Sequence, residues 1–383
     1  MEKRLSEICY GCEACKEMCQ QKCITYKEDQ YGFRYAFIDS DKCINCNLCK
    51  KVCIAECINK VKFNSPLRTY AVLAKNKDIL KGCASGGAAT VLVYTVLKVY
   101  KGVVYGSAVK DGKFFHCRID DEKAIDIIKG SKYVQSSLEN IFSRIKNDLN
   151  QELMCLFIGT PCQVFAVQLY FNNPDNLICV SFPCGGVSSD KFLYEETKSK
   201  GKIDRVIFRN RRKAVLHAID KNSKELFYKL REESVFWFAY DLKYSIRQEC
   251  RECQFSQDKR IEDITIGDFW GYNNDNIFDK NEVKKGISFL AYNTPKGEML
   301  FHRASEFFIQ EGVDYKKICE WNPRLRITIN NQKIFSKTKY ECFRKLYPLL
   351  GIDRTILLLD GIRFNWNLFK AYVKYRILKR EYR

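Results

Sequence analysis

The chain has 383 residues, 20 of them cysteine, and carries 65 Lys and Arg against 46 Asp and Glu for a formal charge of +19. That length holds a small leading module plus a core of two or three subdomains. The charged start Met1–Ser6 lacks the apolar run of a secretion signal, and the longest apolar stretch, Ala88–Leu97, falls far short of the roughly 20 residues that cross a bilayer. Many cysteines without a signal peptide lead to the expectation of a reducing, cytoplasmic compartment.

The first element is a duplication. Cys9, Cys12, Cys15, Cys19 and Cys23 recur as Cys43, Cys46, Cys49, Cys53 and Cys57, each 34 positions on. C-x2-C-x2-C-x3-C is the spacing of a cubane iron–sulfur cluster: three thiolates on a tight loop cap three irons, and the fourth cysteine crosses to the other cluster. Spacing therefore assigns Cys9, Cys12, Cys15 and Cys53 to one 4Fe–4S cluster, and Cys43, Cys46, Cys49 and Cys19 to a second. Structural zinc prefers two separated pairs of ligands, and disulfide frameworks belong to secreted chains. Gln20 and Ile54 stand where proline commonly follows the fourth cysteine, which softens the turn without removing a ligand. Cys23 and Cys57 read as small buried packing residues.

Between the cysteine runs, Ile24–Tyr26 and Phe33–Ile38 predict a hairpin, and Asn64–Arg68 reads as a linker. Beyond it strands and helices alternate. A helix is expected over Gly86–Tyr100, then strands at Gly102–Val109, Leu153–Ile158 and Leu177–Phe182. Helices near Val164–Tyr170 and Asp190–Lys198 separate and follow the later strands. Short apolar strands spaced by helices imply a largely parallel or mixed sheet, which Val206–Arg209, Ile264–Gly267 and Ile287–Asn293 would extend. From Pro323 onward the chain reads as helical and basic, ending in Trp366–Arg383. The expected division is 1–63, 64–322 and 323–383, an α/β core (α+β overall) between a small module and a helical basic tail.

Cys162 and Cys184 each follow a buried strand, so in a parallel sheet both emerge at the carboxyl edge, where ligands collect. Cys250 and Cys253 add a C-x2-C pair, and the four together suit zinc or a third cubane. Gly86 and Gly87 open an apolar helix, where backbone N–H groups can approach a phosphate; Ser-Gly-Gly is equally an ordinary turn. No G-x-G-x-x-G is present, and Gly106–Lys113 misses the P-loop spacing, so nucleotide hydrolysis is disfavoured. His116, His217 and His302 match no triad and read as surface or internally satisfied side chains.

Taken together, several stretches resemble the coenzyme F420 hydrogenase/dehydrogenase beta-subunit family, here with an N-terminal two-cluster 4Fe–4S ferredoxin module. They are CYGCEACKEMC, KCINCNLCKKVC, ASGG at Ala84–Gly87, GVVYGSAV, GSKYVQS at Gly130–Ser136 and IGTPCQ at Ile158–Gln163. PCGGVSS at Pro183–Ser189, CREC, DITIGDFWG at Asp263–Gly271 and KGISFLAYNTPKG at Lys285–Gly297 complete the set. The resemblance runs from about Cys9 to Gly297. It implies a flavin-binding core in which Cys162, Cys184, Cys250 and Cys253 hold a third 4Fe–4S cluster. FAD would lie against Ser85, Gly86, Gly87, Ser131, Lys132, Tyr133 and Thr160. One departure is Pro183-Cys184-Gly185, where many ferredoxin-bearing members carry Cys-His-Gly, which puts a proton-transfer role there in doubt.

The function implied is an oxidoreductase passing electrons between a ferredoxin-like carrier and an organic substrate, with polysaccharide biosynthesis as one setting among bacterial relatives. Two alternatives stand beside it: a non-catalytic electron-transfer subunit of a larger redox complex, and a reductase of the deazaflavin coenzyme F420. Cofactor charge, about −2 for each cubane and about −2 for a dinucleotide, would offset part of the basic excess. The remainder favours an acidic partner such as a ferredoxin or flavodoxin, or a partner redox subunit. No nucleic-acid-binding motif is present, and the basic C-terminus offers a peripheral membrane contact.

Overall fold

The structure is a computed structural model and describes residues 2–198, 203–210, 213–272 and 277–372. The expected hairpin forms and gains a strand: β1 (Glu2–Arg4), β2 (Ile24–Glu28) and β3 (Arg34–Asp39) pair antiparallel in the order β1-β3-β2. The β2–β3 turn is closed by the Asp29 carboxylate, which accepts from the N–H groups of Tyr31 and Phe33 at 2.9 Å each.

The main sheet is built from β4 (Arg68–Ala74), β5 (Val103–Lys110), β6 (Lys113–Ile119), β7 (Cys155–Ile158) and β8 (Leu177–Ser181). A second small sheet intervenes, made of β9 (Arg205–Asn210), β10 (Lys213–Ile219) and β11 (Glu225–Leu230). The main sheet then resumes with β12 (Ile264–Asp268), β13 (Ser288–Tyr292) and β14 (Phe308–Gly312). Its order is β14-β4-β13-β12-β8-β7-β5-β6.

Of the two expected forms, the sheet takes the mixed one. Only the β5–β7, β7–β8 and β8–β12 pairings are parallel, and β6, β13, β4 and β14 join antiparallel. The Asp111-Gly112 turn joining β5 to β6 leaves no room for a crossover, so that pair has to be antiparallel. Val206–Arg209 does form a strand but lies in the separate β11-β10-β9 sheet. The supposed linker ends at Arg68, where β4 begins; that strand lies next to the edge strand β14, with Ala71 and Val72 fully buried.

Packing joins the three parts of the chain. Tyr31 and Phe33 of the leading segment, Phe192 and Trp237 of the middle, and Phe343, Tyr347 and Ile356 of the last helix share one core. That helix, Lys337–Tyr372, is interrupted by non-helical backbone at Gly351 and Asp360. The C-terminal region is thus helical as expected, while residues 373–383 of the basic tail lie outside the described residues.

Candidate redox site

In the leading segment the fold draws the cysteines into two groups that follow the crosswise pattern. Cys9, Cys12, Cys15 and Cys53 line one small cavity. Cys12 is buried, and loss of hydration raises its thiol well above the ordinary range, with Cys15, Cys9 and Cys53 adding their charge. Burial pushes Cys15 up to about 12, offset in part by the Tyr26 hydroxyl 3.4 Å from its sulfur. Cys49 is raised by burial and then by Cys19, Cys43 and Cys46. This second group is the outer one, since Cys46 is exposed while Cys12 and Cys15 are buried. Cys23 joins it unexpectedly, with its sulfur 3.3 Å from that of Cys19. Its counterpart Cys57 instead turns its thiol to the Lys50 and Lys51 carbonyls at 3.5 and 3.4 Å.

The third group comes from three elements. β7 leads through Gly159 and Thr160 into the helix Pro161–Phe171, whose N-terminus is closed by a capping box between Thr160 and Gln163. That turn presents Cys162, with its sulfur 3.1 Å from the Thr160 hydroxyl oxygen. β8 leads to Cys184, whose carbonyl accepts from Arg324 Nε at 2.7 Å. Cys250 and Cys253 arrive on the loop after Arg247. Burial is the largest influence on Cys162, Cys184 and Cys250, and the other thiols of the group follow; Cys162 reaches about 12. Side chains that make one another harder to ionise stay neutral thiols, and a bound cation would be needed to hold them as thiolates. Among the described residues no group of three or more His, Cys, Asp or Glu closes on a point that would hold a single metal ion.

Arg247 ties the first and third groups together. Its side chain is buried, donates from Nε to the Cys9 carbonyl at 3.0 Å, from Nη2 to the Arg34 carbonyl at 3.0 Å and from Nη1 to Gln135 Oε1 at 2.9 Å. Its ion-pair partner is Glu249 at 3.2 Å. Gln135 in turn donates to the Tyr10 carbonyl at 2.9 Å. Tyr10 therefore stands between the groups, its hydroxyl pushed up by burial and by Cys253, Cys162 and Cys250.

Cys162, Cys184 and Cys250 open into a cleft of about 340 Å³, also lined by Ser85, Gly87, Ser131, Lys132, Tyr133 and Thr160. Gly86 lies behind the wall, where an added Cβ would meet the Val72 carbonyl at 2.5 Å and the Ser288 nitrogen at 2.6 Å, so only glycine lets these backbones meet. Gly87 has φ 83, the left-handed conformation glycine tolerates. Lys132 donates to the carbonyls of Ile128 and Lys129 at 2.8 Å each, and loss of hydration draws it down to about 7. Tyr133 is held edge-on by Trp237 and Tyr240. At Gly185 an added Cβ would lie 3.0 Å from the Tyr240 hydroxyl and 3.6 Å from Lys243 Nζ.

Three further features of the cleft escaped sequence reasoning. Ser107 Oγ is buried without a hydrogen-bond partner, so the cleft wall offers a polar contact to a bound group. Arg209 forks onto Asp268 at 2.5 and 3.3 Å, and both residues line the cleft. His116 is buried with Nδ1 3.0 Å from Ser136 Oγ and Nε2 3.0 Å from the Ile158 carbonyl; burial lowers it to about 4, so it is a neutral wall residue. Ser107 does lie inside GVVYGSAV, but strand alternation alone does not say that the face it occupies borders a cleft.

Comparison with known proteins gives a family match and similarity to solved structures. Residues 154–312 match the family described as the C-terminal part of the coenzyme F420 hydrogenase/dehydrogenase beta subunit. A chain of the F420-reducing NiFe hydrogenase complex from Methanosarcina barkeri, from a xenon-derivatization study, aligns with a TM-score of 0.47 and 16% identity, over 73% of this chain and 93% of that one. No curated protein sequence matches.

Proposed function

From the premise that residues 154–312 belong to the coenzyme F420 hydrogenase/dehydrogenase beta-subunit family, we propose that this protein is an iron–sulfur flavoprotein oxidoreductase. It would exchange electrons between a ferredoxin-like carrier and an organic substrate. One juxtaposition carries the reading: Tyr10, which lines the cavity of Cys9, Cys12, Cys15 and Cys53, also lines the cleft into which Cys162, Cys184 and Cys250 open.

In this reading Cys9, Cys12, Cys15 and Cys53 hold one 4Fe–4S cluster, Cys19, Cys43, Cys46 and Cys49 a second, and Cys162, Cys184, Cys250 and Cys253 a third. For the third group the resemblance to the family supports a cube of four irons over one zinc. FAD would be held by Ser85, Gly87, Ser131, Lys132, Tyr133 and Thr160, which line the cleft. When bound, the clusters supply single electrons and the flavin pairs two of them as a hydride equivalent. The chain's own residues arrange this chemistry. Arg247 fixes the Cys9 loop against the Cys250 loop. Lys132, poised near neutrality, holds or releases a proton at Nζ and balances negative charge in the cleft. Ser107 offers a hydroxyl with its hydrogen bond unspent. The segments 1–63, 64–322 and 323–383 then act as carrier module, catalytic core and helical tail.

The substrate proposed from the resemblance is a sugar or lipid-linked intermediate of polysaccharide synthesis. The family description favours a second reading, a redox subunit that serves coenzyme F420 inside a larger complex. Bleaching of added F420 on reduction, or turnover only with a co-purifying partner protein, separates the two. The cofactor test is direct: anaerobically purified protein should carry about twelve irons and about one flavin, and Cys184→Ala about eight irons. About eight irons in the unaltered protein would remove the core cluster, and a colourless zinc protein would reject the proposal.

A further inference from the structure

The last turns of the final helix have two apolar faces where a surface helix ordinarily has one. Past the break at Asp360, Phe364 packs inward edge-on to Phe238 with ring centroids 5.1 Å apart, and Leu368 packs against the same core. Ile362, Trp366 and Phe369 project outward and are 91%, 55% and 54% exposed. Their spacing of four and three residues places them in one stripe, roughly opposite Phe364 and Leu368. Trp366 and Phe369 stack with centroids 5.5 Å apart and planes 20° from parallel, and Lys370 Nζ lies 5.5 Å above the Trp366 ring. Leu358, 65% exposed, adds to the apolar surface just before the break. A stripe of large apolar side chains left in water marks an interaction surface.

Charge selects the occupant. Residues 361–383 contain seven Lys and Arg, namely Arg363, Lys370, Lys374, Arg376, Lys379, Arg380 and Arg383, against the single acid Glu381. Tyr372, Tyr375, Ile377, Leu378 and Tyr382 are interleaved with them. A second copy seated on the stripe would bring Arg363 and Lys370 of both copies together, and like charges would oppose it. An anionic bilayer meets both features: aromatic side chains enter the headgroup boundary while Lys and Arg lie against lipid phosphates. No described helix is long and apolar enough to cross a membrane, so the contact is peripheral. We propose that the end of the final helix is an interfacial anchor that seats the protein on an anionic membrane surface through Ile362, Trp366 and Phe369. This inference does not depend on the cofactor assignment.

The test is flotation of the full-length protein with vesicles of phosphatidylglycerol and phosphatidylcholine, compared with phosphatidylcholine alone, at low and high salt. The protein should float with the anionic vesicles, float poorly with the neutral ones and be released by salt. Trp366→Ala/Phe369→Ala should weaken partitioning about tenfold or more, and Arg363→Glu/Lys370→Glu should also weaken it. Met299→Ala, an exposed apolar side chain on another helix, should leave it unchanged. All substituted side chains are at the surface, and an unchanged circular dichroism spectrum verifies folding. Failure to float with anionic vesicles, or binding indifferent to both double variants, would overturn the proposal. So would a dimer in sedimentation that dissolves on Trp366→Ala/Phe369→Ala, because the stripe would then be a contact between copies.

Discussion

Replacing Arg247 by Met removes a buried guanidinium at nearly constant length and tests whether this residue moors the leading cysteine loop. Its loss leaves the Cys9 and Arg34 carbonyls and Gln135 Oε1 without their donor, and removes the closer partner of Glu249. Breaking a buried ion pair from one side costs about 3–5 kcal/mol. Arg4 Nη2, 3.7 Å from Glu249 and 40% exposed, remains as a weaker partner, so the low end applies. About 3 kcal/mol is roughly a hundredfold in the opening equilibrium of the segment it holds, at about 1.4 kcal/mol per factor of ten. Amide hydrogen exchange read by mass spectrometry should therefore accelerate about a hundredfold in peptides around Cys9–Cys15, while β7 and β8 keep their protection. Arg247→Met/Glu249→Gln should recover part of the loss, because the carboxylate left short of a partner is gone. Unchanged exchange around Cys9, or equal acceleration in β7 and β8, would refute the mooring role.

Cys23→Ala should lower the reduction potential of the outer cluster by removing a thiol donor to Cys19 sulfur, whereas Cys57→Ala should leave both leading clusters unmoved; an electron paramagnetic resonance redox titration reads the difference, and equal shifts would reject it. Lys50→Glu/Lys51→Glu, beside exposed Cys46, should raise KM for an acidic carrier about tenfold at low salt. That difference should vanish at high ionic strength, and a salt-independent change would point to damage at the cluster instead. Burial lowers Lys132 to about 7 from 10.5, so between those values the unfolded chain binds more protons than the native one and stability rises with pH. Lys132→Met should flatten that rise in chemical denaturation across the same window, and an unaltered slope would place the amine in water.

Local pattern made the leading cysteine groups legible because cluster spacing is a property of short loops: three thiols within seven residues are close whatever the rest of the chain does. The strands β5, β7, β8 and β12 were equally plain, since each is a short apolar run between polar turns. Strand direction and sheet membership were not, because both depend on which edges meet. The Asp111-Gly112 turn reverses β6, and Val206–Arg209 pairs with β10 instead of the main sheet.

Cysteine spacing alone showed that Cys19 and Cys53 could trade places between two runs, and the apolar stretches before Cys162 and Cys184 put them after consecutive strands. Contacts between distant segments were needed to show that Arg247 clamps Cys9 beside the loop carrying Cys250 and Cys253, and that Ser107 and His116 line the cleft. The reason is physical: periodicity and turn chemistry act over a few residues, whereas a buried guanidinium or a cleft wall exists only where distant segments exclude water together.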